Sequence, residues 1–145
     1  MKLASKTVLA AALIAFLLGV PATAAAEPRQ TVETFGKALV DGDAGKLSVA
    51  LPATGKVRVH LVRLGPQDGA LRGGQLGAVL QDFLERGSVT SFEIRTIEQS
   101  KTLALATAVV GLVDAGGSRA KVGLHLSLEP ENDLWVLREI RESSK

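Results

Sequence analysis

Beyond Gly87 the hydrophobic period of this chain is two, with no helical stretch before its end, and that limits the fold more than any other feature. Phe92 and Ile94 alternate with Glu93 and Arg95. Leu103–Asp114 reads as a long strand closed by the turn Asp114-Ala115-Gly116-Gly117. Ala120, Val122, Leu124, Leu126 and Leu128 then alternate with Arg119, Lys121, His125, Ser127 and Glu129, and the turn Pro130-Glu131-Asn132-Asp133 leads into Leu134–Arg141. Alternating segments joined by tight turns predict an antiparallel meander.

The preceding part is mixed. Val32, Phe35, Leu39 and Val40 lie on one helical stripe, and Pro28 suits the first turn of such a helix. Gly42 is placed to end it in a left-handed conformation, and Asp43 to cap a shorter piece carrying Leu47, Ala50 and Leu51 before Pro52 stops it. Lys56–Leu64 then alternates, with Val57, Val59 and Leu61 on one side and Arg58 and His60 on the other. Pro66-Gln67-Asp68-Gly69 is a turn after which Ala70-Leu71-Arg72 pairs back. A second helix carries Leu76, Val79, Leu80, Phe83 and Leu84 and ends at Gly87. Helices packed on one face of an antiparallel sheet make an α+β layout.

Two strands do not suit a sheet with one wet face. Leu103, Leu105, Thr107 and Val109 oppose Ala104, Ala106, Ala108, Val110 and Leu112, and Trp135 and Leu137 oppose Val136 and Ile140. A strand apolar on both sides is covered on both. The helices cover one face, so a homodimer packed sheet to sheet is expected to cover the other.

The first residues form a separate unit. Lys2 and Lys6 precede the apolar run Val8–Val20, Pro21 breaks it, and Ala22-Thr23-Ala24-Ala25-Ala26 follows. A charged start, a short apolar run and an A-x-A site are the parts of a secretory signal peptide. The run reaches about 20 Å as a helix, short of the roughly 30 Å hydrocarbon core. Residues 1–26 are therefore expected to be removed, by cleavage after Ala26 or Ala24, leaving one domain over 27–145 that is periplasmic or extracellular in a bacterium, with no membrane segment. The chain has no cysteine, which excludes lipid attachment and disulfides and leaves stability to a hydrophobic core.

Composition narrows the chemistry. Of 17 basic and 15 acidic side chains, only Lys2 and Lys6 precede Glu27, so the remainder balances at zero formal charge. With no positive excess, and only Phe35, Phe83, Phe92 and Trp135 as aromatics after residue 26, nucleic acid is not an expected partner. Two distant histidines and no cysteine give no metal-ligand pattern. Asp41-Gly42-Asp43-Ala44-Gly45-Lys46 fails as a calcium loop, with Gly45 and Pro52 where oxygen ligands belong. It also fails as a phosphate loop, since Leu47 follows Gly-Lys. No G-x-S-x-G elbow is present. No cofactor is expected. Arg138, Glu139, Arg141 and Glu142 read as a solvated strand end.

The order of these elements resembles the nuclear transport factor 2-like superfamily. The likeness rests on Val40-Asp41-Gly42-Asp43 with Leu47 at the helix break, on the helix holding Gln75, Leu80 and Phe83-Leu84, and on the closing Trp135-Val136-Leu137-Arg138-Glu139-Ile140-Arg141. It is nearest to small exported bacterial members classed as domains of unknown function. The resemblance implies N-terminal helices packed in the concave face of a curved antiparallel sheet, and it spans enzymes and non-enzymatic dimers alike, so it leaves the activity open.

Isomerases of this superfamily use a tyrosine hydroxyl and buried acids; this chain has no tyrosine. Dehydratases use histidine, but His60 and His125 sit opposite the aliphatic stripes and are expected to face away from the cone. No catalytic residue is assigned. Trp135 is expected first to pack in the core, and the resemblance also places it near the cone mouth, where it meets a ligand. His125 and Glu139 stand with it as candidate ligand-binding residues, and either serves as the base if the domain is an enzyme. The functional expectation is an exported, non-enzymatic binding or interaction module, with a small apolar ligand or an envelope protein as further partner. The alternative is a lyase- or isomerase-type enzyme using the cone cavity.

Overall fold

The computed structural model describes residues 27–143, so the expected leader lies outside the described residues. Helix α1 (Pro28–Asp41) buries Val32, Phe35 and Leu39, while Val40, on the edge of that stripe, stays 42% exposed. Gly42 ends it at φ 69°, and the Asp43 carboxylate accepts the Lys46 N–H at 3.3 Å to start the single turn α2 (Ala44–Leu47). Both devices are those the sequence predicts.

Strands β1 (Lys56–Leu61) and β2 (Gln67–Arg72) form a hairpin, followed by α3 (Gly73–Arg86). The meander then runs β3 (Ser88–Gln99), β4 (Ala104–Val113), β5 (Arg119–Glu131) and β6 (Leu134–Ser143). The six strands lie in the order β2-β1-β6-β5-β4-β3. Every pair is antiparallel except β1 and β6, which run parallel with Arg58 opposite Glu139 and His60 opposite Arg141. The sheet is therefore mixed rather than wholly antiparallel. The cause is the path of the chain: α3 carries it from β2 to the far edge, and a four-strand meander walks back to meet β1 in the same direction.

Three local details differ from the sequence reading. The turn expected over Pro66–Gly69 lies earlier, because Gln67, Asp68 and Gly69 already pair with Leu61, His60 and Val59 in β2. The turn expected over Pro130–Asp133 is only Asn132 (φ 52°) and Asp133 (φ 67°), with Pro130 and Glu131 still paired to Trp135 and Leu134. Two consecutive left-handed residues suit a tight hairpin, and Asn and Asp tolerate that conformation best after glycine. In β6 the register slips between Ser127 and Leu128, which face Glu139 and Leu137, so Arg138 is an inserted residue. This bulge moves Ile140 onto the same side as Trp135 and Leu137, not the side of Val136. Strand β4 is then the two-faced strand that remains.

The core lies between the helices and the concave face of the sheet. Phe35, Leu39, Leu76, Leu80, Leu126 and Ile140 are among its fully buried side chains. Phe35 meets Phe92 edge-on, with ring centroids 6.1 Å apart.

Candidate functional site

Alternation along the strands decides where the predicted site residues go. Leu124, Leu126 and Leu128 point inward, so His125 points out, exposed, and sits opposite Arg141. Glu139 pairs with Ser127 on the same outer face, where its carboxylate accepts the Ser127 hydroxyl at 3.4 Å. Trp135 faces the other way, toward the helices, and its carbonyl accepts the Thr31 hydroxyl at 2.7 Å. The three residues are thus divided between the two faces of the sheet. Neither potential base looks into the concave interior.

That interior is filled by the chain's own side chains. Leu112, Leu124, Leu126, Leu128 and Leu137 are each at most 1% exposed. A single buried acid interrupts this apolar packing. Glu142, 5% exposed, accepts the backbone N–H of Val62, Arg63 and Leu64, each at 2.9 Å from its Oε2. Its carboxylate ties the end of β6 to the β1–β2 connection. This corrects the reading of residues 138–142 as a solvated end. Glu142 lies two residues after inward-facing Ile140, so the parity of β6 marks it as buried once the Arg138 bulge is counted.

Arg138 is likewise engaged. Its guanidinium lies 2.9 Å from Glu131 and 3.6 Å from Glu129 and donates to the Thr54 carbonyl at 3.0 Å. Glu131 in turn accepts the Ala53 N–H at 3.3 Å. The cluster clamps the connection between α2 and β1 against the β5–β6 hairpin.

Clefts lie outside the core. One of about 440 Å³ is lined by Trp135 with Leu134, Val49, Ala50, Thr31 and Thr34. Leu134 is 54% and Val49 65% exposed, so this is an apolar cleft with a polar rim on α1. A larger groove of about 1090 Å³ runs between the Asp41–Ser48 segment and α3, over Gly73, Gly74 and Gly77. Its acids are partly committed: Lys37 pairs with Asp41 at 3.0 Å and Lys46 with Asp43 at 3.8 Å. Gly73 is required, because a Cβ there would meet the Pro52 carbonyl oxygen at 2.7 Å. Gly74 and Gly77 have nothing within 4 Å of a Cβ. Alanine at either position is expected to stabilise the domain by roughly 0.5–1 kcal/mol through helix propensity. Urea unfolding checks this, and a loss of stability would show that the floor of the groove needs glycine.

Among the described residues no three His, Asp or Glu side chains gather as a metal site requires, and no helix is long and apolar enough to cross a membrane.

No protein-family model matches the sequence, and no curated protein matches it. Solved structures do match in shape. A DUF4783 family protein from Bacteroides uniformis superposes with a TM-score of 0.63 at 12% identity, over 78% of this chain and 95% of that one. An NTF-2 like protein of unknown function from Shewanella oneidensis gives 0.59 at 16%, over 79% and 94%. A Delta 5-3-ketosteroid isomerase from Mycobacterium sp. gives 0.61 at 11%, over 80% and 91%. The neighbours thus include an enzyme and proteins of unknown function, and at these identities the likeness speaks for architecture. The domain has the nuclear transport factor 2-like fold.

Proposed function

We propose that this protein is a non-enzymatic interaction module that pairs with a second copy through the outer face of its sheet, outside the cytoplasm, once residues 1–26 are removed. The observation that carries this reading is the contrast between the two faces of β4. Its inner residues Ala104, Ala106, Ala108, Val110 and Leu112 are at most 2% exposed. On its outer face Leu105 remains 46% exposed, beside half-buried Thr107 and Val109, and Leu103, just before the strand, is 40% exposed. An apolar stripe on the outer sheet face, one strand in from the β3 edge, suits burial against a matching surface. The filled interior supports the same reading, since an isomerase- or lyase-type reaction inside the cone requires room and an inward-facing base.

Native mass spectrometry of the protein purified from an exporting bacterial host tests the reading. The expected species is a dimer at twice the mass of the chain cleaved after Ala26. A monomer at tens of micromolar overturns it. The Trp135 cleft favours a second reading, a small apolar ligand held between Leu134 and Val49, and a reproducible small-molecule adduct would favour that one.

A further inference from the structure

The outer face of the sheet is divided by charge, and the strand register shows how. At the β3 edge, Glu93 stands opposite Val109 and Glu98 opposite Leu105. Strand β4 carries the uncharged stripe Leu105, Thr107 and Val109. On its other side β5 carries Lys121, Gly123 and His125, opposite Gly111, Val109 and Thr107 in turn. Arg141 of β6 lies beside His125, and His60 of β1 beside Arg141. The face therefore runs from acidic through apolar to basic. Its opposing charges are Arg95, the bulged residue that pairs with Glu93 at 3.2 Å, Glu129 near the end of β5, 3.6 Å from Arg138, Glu139 beside Arg58, and Asp68, which lies 3.6 Å from His60. Among the described residues Glu98, Lys121 and Arg141 make no ion pair.

Resting on the dimer reading above, we infer that the two copies are related by a two-fold axis running along β4, so that the β3 edge of each lies over β5 of the other. A two-fold axis lying in the interface turns one sheet face onto the other. If it runs along β4, it also exchanges left and right of that strand. The uncharged stripe then covers itself, and Glu93 of one copy lies over Gly123 of the other. Gly123 is the outward position on β5 with no side chain, and it sits between Lys121 and His125. Glu98 comes to lie over Ser127, next to His125. Stacked sheets are about 10 Å apart, a gap that opposed Glu and Lys side chains span together. An axis across the strands would instead lay acid over acid at β3 and base over base at β5. Like charges facing each other disfavour that arrangement.

The test uses two variants of the full protein, Glu93→Lys/Glu98→Lys and Lys121→Glu/His125→Glu, measured by native mass spectrometry and sedimentation at low salt. All four positions are exposed, so folding is retained, and circular dichroism checks that. Each variant alone is expected to dimerise at least about tenfold more weakly than the original protein. An equimolar mixture is expected to restore dimerisation as a heterodimer, because lysines of one variant then face glutamates of the other. Rising salt should reduce that preference. Variants that self-associate as well as the original, with no preference for each other, overturn the axis while the dimer stands. An original protein that stays monomeric overturns both the axis and the dimer.

Discussion

Replacing Phe35 with alanine is expected to destabilise the domain by about 4 kcal/mol, the range found for deleting a buried aromatic ring. Phe35 is 0% exposed and anchors α1 to the sheet through its edge-on contact with Phe92. The cavity cannot close easily. A Cβ on Gly36 would clash with the edge of the Phe92 ring, so helix and strand already touch beside the deleted side chain. For a domain of this size the loss corresponds to roughly 15–20 °C in melting temperature. Trp135 is the one tryptophan and is 8% exposed, so its fluorescence in a urea titration reports the transition. A loss below about 1.5 kcal/mol would mean that α1 and β3 collapse into the space after all.

The second large effect is expected at Glu142. Glu142→Ala removes the acceptor of three backbone N–H groups at once. Val62 is 60% exposed and its amide can turn to water, but Leu64 is 0% exposed and its amide cannot. One buried donor left unpaired, with two charge-assisted bonds exchanged for water, amounts to about 3 kcal/mol. Glu142→Gln keeps one oxygen acceptor and should lose about half as much. Amide hydrogen exchange localises the effect: the Val62–Leu64 amides should lose protection in Glu142→Ala while the β4 and β5 amides keep theirs. If all amides lose protection equally, or if Glu142→Gln is as damaging as Glu142→Ala, the carboxylate is not the specific anchor of this loop.

Glu142 also marks where the sequence stops being legible. Its neighbours alternate in sign, a pattern that reads as solvent-facing charge. Its role depends on three amides far away in sequence and on an inserted residue, Arg138, that shifts the parity of β6. Neither leaves a periodic signal. By contrast, the α1–α2 break was readable because Gly42 and Asp43 act within their own helix ends. The outward direction of His125 was readable because β5 alternates without interruption, as its inward leucines require. The parallel contact of β1 with β6 was not readable, because alternation shows which side a residue faces and not which strand lies beside it. Trp135 was placed by resemblance near a cone mouth, and the structure puts it beside an apolar cleft at the β5–β6 hairpin. His125 and Glu139 face away from that cleft because of their strand parity.

The parallel contact has a kinetic consequence. Strand β1 pairs with β6 across most of the domain's sequence, Val59 opposite Ile140, while β3 to β6 pair with their immediate neighbours in the chain. Contacts of long sequence separation form late, since loop closure must precede their reward. Until β6 arrives, the sheet exists as a two-strand hairpin and a separate meander, and an isolated hairpin is marginal in water. The inner edge of β1, with its unpaired amides and carbonyls, is open during that interval and is a template for pairing with another unfinished chain. Aggregation during refolding should therefore depend on how soon the final ten-residue strand docks. A chain truncated before Leu134 should keep the meander hairpins yet never close the gap between its two halves.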